Sequence, residues 1–135
     1  MSIRQLSSHV VYQNRWMTVR EDEIERANGH RGIYSVVEKH DSAIVLAIED
    51  ERIFLVDQYR YSIGERSLEF PQGSLEQNGI DPREIARGEL LGETGIEAAQ
   101  FEPLGEITIA IGYSNQKTTA FLATGLSQGG ARPDK

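Results

Sequence analysis

Short apolar segments rich in β-formers, separated by polar turns, fill the first half of the chain. His9-Val10-Val11-Tyr12 and Trp16-Met17-Thr18-Val19-Arg20 read as strands divided by Gln13-Asn14-Arg15. Asn28-Gly29, between Glu23-Ile24-Glu25 and Ile33-Tyr34-Ser35-Val36-Val37, predicts a hairpin with a two-residue turn. The continuous run Ala43-Ile44-Val45-Leu46-Ala47-Ile48 predicts a strand buried on both faces. After the polar Glu49-Asp50-Glu51, the run Ile53-Phe54-Leu55-Val56 predicts another buried strand, and residues 60–66 read as a loop. A helix then begins near Pro82. Asp81 is a good N-cap, Pro82 suits the first helical position, Glu84 completes a capping box, and Gly95 supplies a left-handed C-terminal cap. Strands are expected near 101–111 and 118–123, and a glycine-rich tail from Gly125 onward. Strands on both sides of a central helix predict a mixed α/β domain.

Composition narrows the class. The length of 135 residues suits one domain, and 39% apolar with 26% charged residues is ordinary for a globular chain. There is no apolar run of the roughly 18 residues a membrane span requires. The start, Met1-Ser2-Ile3-Arg4-Gln5, lacks an apolar signal core, so a cytoplasmic location is expected. The chain has no cysteine, which excludes disulfides and thiolate chemistry. A net charge of −7 argues against a nucleic-acid partner, whose phosphates call for a basic surface. A small nucleotide remains compatible, provided a metal ion offsets the local charge.

The candidate chemistry lies on the helix. Glu89 and Glu93 stand at i and i+4, on one face and close enough to share a divalent cation. An isolated pair of this kind is ordinarily solvated surface. This pair, however, lies between the loop Glu69-Phe70-Pro71-Gln72-Gly73 and the cap Thr94-Gly95, and the loop can bring a main-chain carbonyl to the same cation. Mg²⁺ prefers an octahedron of oxygens and retains several waters, so Glu89, Glu93 and the Gln72 carbonyl would make a suitable open site, for Mg²⁺ or for Mn²⁺ in its place.

These residues resemble the signature of the Nudix hydrolases. Aligned on its C-terminal end, the chain supplies Glu89, Leu90, Glu93, Gly95 and Ile96; Ile80, Gly88 and Gly92 stand where the signature has Glu, Arg and Glu. Gly73 lies one residue earlier than the signature's first glycine. The stretches Gln58-Tyr59-Arg60-Tyr61, Leu68-Glu69-Phe70-Pro71-Gln72-Gly73 and Gly112-Tyr113-Ser114-Asn115-Gln116 are similar to the ADP-ribose pyrophosphatase branch. The resemblance implies a Nudix α/β/α sandwich with a mixed β-sheet and an N-terminal antiparallel β-hairpin region. It further implies one domain over 1–135: an N-terminal β region (1–40) in dimer contact, a core (41–126) and a flexible tail (127–135). The implied reaction is Mg²⁺-dependent hydrolysis of an ADP-ribose-like nucleoside diphosphate linked to a second group, by a homodimer.

In that reading Glu89 and Glu93 are the catalytic metal ligands, together with Gln72. Arg60 and Glu69 serve the substrate, Arg60 on the phosphates, although Glu69 suits a loop-bracing role equally well. Trp16 and Tyr12 could stack on an adenine across a dimer interface, but a core position is the favoured expectation for each. A C-terminal acidic residue is implied as water activator. After Glu106 the only carboxylate side chain is that of Asp134, so Asp134, Glu106 or a partner subunit would have to serve unless the chain is a truncated product. The departures at 80, 88 and 92 leave open an alternative, a Nudix-fold nucleotide-binding module with impaired turnover. A structural dimerisation domain is a third reading, against which the retention of Glu89 and Glu93 weighs.

Overall fold

The computed structural model describes residues 2–75 and 79–128. In chain order its elements are β1 (Arg4–Gln13), β2 (Thr18–Glu25), β3 (Arg31–Glu38), β4 (Ser42–Glu49), β5 (Arg52–Ile53), β6 (Val56–Arg60), β7 (Glu65–Glu69), β8 (Gln72–Ser74), α1 (Pro82–Thr94), β9 (Ile96–Thr108) and β10 (Lys117–Gln128). They form two compact units, Met1–His40 with Thr108–Lys117, and Asp41–Ile107 with Thr118–Lys135.

The first unit is an antiparallel sheet in the order β1-β2-β3. β1 is an edge strand whose residues are almost all exposed. The β2–β3 loop is one residue longer than the expected two-residue turn. Gly29 N–H donates to Arg26 O and Arg26 N–H to His30 O, both at 2.8 Å, which encloses Ala27-Asn28-Gly29 with Gly29 at φ 84°. That is the three-residue loop with a left-handed last position. Trp16 and Tyr12 are not core residues: they are 60% and 56% exposed. The cause is local. Asn14 Oδ1 accepts from the N–H groups of both Trp16 and Met17 at 2.9 Å, a tight turn that carries the indole outward beneath the Arg15 guanidinium, 5.2 Å from its ring centroid. Residues 109–115 close along β3, where Val37 N–H donates to Tyr113 O at 2.7 Å and the Tyr34 hydroxyl donates to Gly112 O at 2.8 Å.

The second unit is built on β4. One edge of β4 pairs in parallel with β10; the other takes β8 near its start and β5 at its end, both antiparallel. With β9 beyond β10 this makes a mixed five-stranded sheet, as expected. Helix α1 packs on β4 and β8. The core joins Ala43, Val45 and Ala47 of β4 to Ala86 and Leu90 of α1, Ile96 and Phe101 of β9, and Phe121 and Ala123 of β10. Small alanines on β4 let the helix approach closely. β4 is fully buried on that face alone, since Ile44 and Leu46 on its other face are half-buried. The run 53–56 is not one buried strand. β5 ends at an exposed Ile53, and Phe54 and Leu55 join it to β6.

Residues 60–66 contract to a four-residue turn between β6 and β7, which pair as a separate antiparallel ribbon from Val56↔Glu69 to Arg60↔Glu65. Strand β10 continues through the expected tail segment to Gln128; residues 129–135, and with them Asp134, lie outside those described. Among the described residues there is one helix, so a second helical layer is not supplied by them. None of the described helices is long and apolar enough to cross a membrane.

Candidate functional site

Helix α1 presents the two carboxylates. It starts where Asp81 accepts from Arg83 N–H at 2.9 Å and ends at Gly95, whose φ of 75° lets its N–H return to Leu91 O at 2.8 Å. The expected box is thus half made, because Asp81 caps the second helical N–H while Glu84 sits near Arg87 at 3.7 Å. The last turn carries no basic residue. Ala86 and Leu90 bury one stripe, and the adjacent stripe places Glu89 and Glu93, both half-buried, along the helix.

Strand β8 meets this stripe. A Cβ built on Gly73 would lie 2.6 Å from Glu89 Cγ and closer still to its carboxyl group, so only glycine admits the Glu89 side chain there. The neighbouring main-chain N–H of Gln72 hydrogen-bonds Glu93. Burial, and then the adjacent Glu89 carboxyl, push Glu93 up to about 7, against the smaller opposing pull of that N–H and of Arg60. Two carboxylates crowded together in this way are a donor set suited to a divalent cation. Among the described residues no three His, Cys, Asp or Glu converge, so what they offer a cation here is two carboxylates and whatever main-chain oxygen the Gln72 strand presents.

Behind the loop stands a second cluster. Arg60 grips Glu69 through Nε at 2.8 Å and Nη2 at 2.5 Å, while Gln58 and Gln72 each donate an amide N–H to Glu69 Oε1 at 3.0 Å. The Arg60 contact, reinforced by these donors, holds Glu69 down at about 2 against the cost of its burial. Through these contacts Glu69 ties β6 to the Gln72 strand. Arg60 is braced by the same contact and also acts on Glu93 through its charge.

The strands and helix border an open groove of about 870 Å³ lined by Phe54, Tyr59, Gln58, Arg66, Glu89 and Glu93 among others. Of the residues singled out from sequence, Gln72, Glu89 and Glu93 meet directly, and Arg60 and Glu69 join them through Gln72. Trp16 belongs to the first unit. In the sequence Gln58 and Tyr59 stand out only as part of the stretch Gln58-Tyr59-Arg60-Tyr61. The signal for Gln58 was present, since it shares the period-2 face of Arg60 on β6, opposite Ser67 and beside Glu69 on β7.

Comparison with known proteins bears on the family and the fold. Residues 38–133 match the model described as the NUDIX domain, and residues 3–37 the nucleoside diphosphate sugar hydrolase N-terminal domain. The chain is 32% identical over 130 residues to an ADP-ribose pyrophosphatase of Mycobacterium tuberculosis, covering 96% of this chain and 62% of that protein. It is 32% identical over 124 residues to a methanol dehydrogenase activator of Bacillus methanolicus, covering 91% and 66% of the two chains. A Bacillus subtilis ADP-ribose pyrophosphatase is 27% identical over 123 residues, with 90% and 66% covered. The chain therefore spans somewhat under two thirds of the length of these relatives. A solved structure described as an ADP compounds hydrolase superposes with a TM-score of 0.83 over all of this chain and 74% of that one, at 24% identity, a likeness of fold.

Proposed function

Since the chain belongs to the Nudix family, we propose that it is a pyrophosphohydrolase acting on ADP-ribose or a similar nucleoside diphosphate linked to a second group. The reaction adds water across the phosphoanhydride: a P–O bond forms, the bridging P–O bond breaks, and the products are a nucleoside monophosphate and a phosphorylated remainder. The observation that carries this reading is the pairing of Glu89 with Glu93 against the Gln72–Gly73 strand. Glu89, Glu93 and the Gln72 carbonyl would hold Mg²⁺, or Mn²⁺, which when bound neutralises phosphate oxygens and makes a coordinated water acidic.

The remaining work falls to the chain's own groups. Gly73 keeps Glu89 at the strand, and Gln72 N–H orients Glu93. Glu69 fixes the Arg60 guanidinium through Nε and Nη2, leaving its third nitrogen to face a diphosphate oxygen. Trp16, exposed on the first unit, is the candidate for stacking on a base. A cytoplasmic homodimer assembled through the N-terminal strands is the proposed form, supported by the long exposed edge of β1.

Turnover of ADP-ribose with and without Mg²⁺, beside a Glu93→Gln variant, tests the reading. Metal-dependent release of AMP that the variant lacks would sustain it. No release at enzyme concentrations comparable to substrate would leave the binding-module alternative, which the open, exposed Gly88 and the absence of a third converging carboxylate among the described residues favour.

A further inference from the structure

Gln58 projects from β6 on the same face as Arg60 and lines the groove that holds Glu89 and Glu93. Its Nε2 donates to Glu69 Oε1 at 3.0 Å. An ionised carboxylate only accepts, so the amide cannot be turned over: its NH₂ end must meet Glu69 and its carbonyl oxygen must face elsewhere. Arg60 donates to both oxygens of Glu69, Nε to Oε2 and Nη2 to Oε1, so Oε1 stands as an acceptor and the amide orientation follows from the contacts. Among the described residues no donor meets Gln58 Oε1. The result is an acceptor of fixed direction on a groove wall.

The surroundings define what that acceptor would take. Asp57, Glu89 and Glu93 make the groove acidic, and the Arg66 cation is already engaged by Asp57 Oδ1 and by the Asp57 carbonyl, both at 3.0 Å. A second anionic group would be repelled, whereas an uncharged hydroxyl-bearing group would find both a hydrogen-bond acceptor and the apolar faces of Phe54 and Leu55.

We propose that Gln58 is a specificity-determining residue: its Oε1, aimed by the contact with Glu69, accepts a hydrogen bond from a hydroxyl of the group joined to the nucleoside diphosphate. This rests on the pyrophosphohydrolase reading and adds to it the feature by which the second group is chosen. A site built around a donor-bearing substrate discriminates against an analogue without the donor, because the acceptor, half-buried in the free protein and covered by the bound substrate, is then left unpaired.

The test compares ADP-ribose with the ethyl ester of ADP, which keeps the diphosphate and lacks the sugar hydroxyls. Gln58→Leu and Gln58→Met remove the acceptor at similar length, and Glu69 retains Arg60 and Gln72 in both, so either variant that folds decides the question. Wild type should prefer ADP-ribose. Each folded variant should lose about tenfold in kcat/KM on ADP-ribose and stay within about twofold on the ethyl ester. An equal fall on both compounds, an unchanged preference, or no preference in wild type would overturn the proposal, the first of these assigning Gln58 a purely bracing role.

Calorimetric binding of the same two compounds runs alongside. If wild type turns over neither, the hydrolase reading fails on its own, while a binding preference lost in the variants still supports Gln58 and one retained overturns it.

Discussion

Gly73 lies directly under the Glu89 side chain, so near that a single added methyl group would occupy the space of its carboxyl group. Replacing Gly73 with alanine should therefore move Glu89 off β8 while the α1 core of Ala86 and Leu90 stays packed. Metal-dependent hydrolysis should fall by about 100-fold, the scale on which small misplacements act. Mn²⁺ binding followed by electron paramagnetic resonance should weaken in parallel, with the melting temperature changed far less. Retained Mn²⁺ affinity in Gly73→Ala would show that Glu89 is not a ligand.

Gly88 is the opposite case. It is exposed, and a Cβ there meets nothing within 4 Å. Gly88→Ala should raise stability by about 1 kcal/mol, because it removes the backbone freedom of a mid-helix glycine. For a chain of this size that is a rise in Tm of about 4 °C, read by calorimetry, with kcat unchanged. A loss of stability would mean that the glycine has a packing role the open surroundings do not reveal.

Acid should dismantle the Glu69 cluster late. Glu69 is held below its ordinary value of 4.5, at about 2, so its contribution is complete above the unfolded value and lost as pH falls from about 4.5 through 2. With allowance for the partly exposed Arg60, this amounts to about 2 kcal/mol of stability. Urea midpoints for wild type and Glu69→Gln, followed down through that window, should converge at the acid end. Parallel curves would deny Glu69 its depressed titration.

Glu93 runs with the opposite sign. Its folded value is raised to about 7, so metal-free stability from this group is greatest below about 4.5 and is lost as pH rises through 7. A divalent cation takes the deprotonated pair. Its binding should release a proton near neutrality, and apparent affinity should climb with pH until about 7 and level off above. Calorimetry in buffers of different ionisation enthalpy measures that proton directly. A pH-independent affinity would place the cation away from Glu93.

Much of this architecture is legible in the chain, and the exceptions have physical causes. The α1 boundaries follow from Asp81, Pro82 and Gly95, whose cap and φ requirements are local. Likewise the pairing of Glu89 with Glu93 needs only helical spacing. What escapes is whatever depends on the neighbour across a sheet. The run 53–56 has the composition of a buried strand, yet among the described residues only the two-residue β5 pairs with the end of β4, and Ile53 remains exposed. Trp16 has core composition but stands in a turn fixed by Asn14. Glu69 reads as an ordinary loop acid until the β6–β7 register brings Arg60 and Gln58 to it. The segment 60–66 reads as open loop because the half-buried face of β6 and β7 around it is made of the polar Gln58, Arg60, Ser67 and Glu69, so the burial alternates without a matching alternation of apolar residues.

The last turn of α1, acidic at Glu93 and without a basic side chain, has a consequence for folding itself. The aligned peptide dipoles give a helix a partial negative charge at its C-terminal end, and here two carboxylates gather toward that same end. Unbalanced, the arrangement works against the helix that bears it. A cation bound there would complete the electrostatics of the secondary structure as well as serving the phosphates, so loading the site and firming the second half of α1 would become one event. The protection of the amides near Glu93 would then serve as a gauge of occupancy.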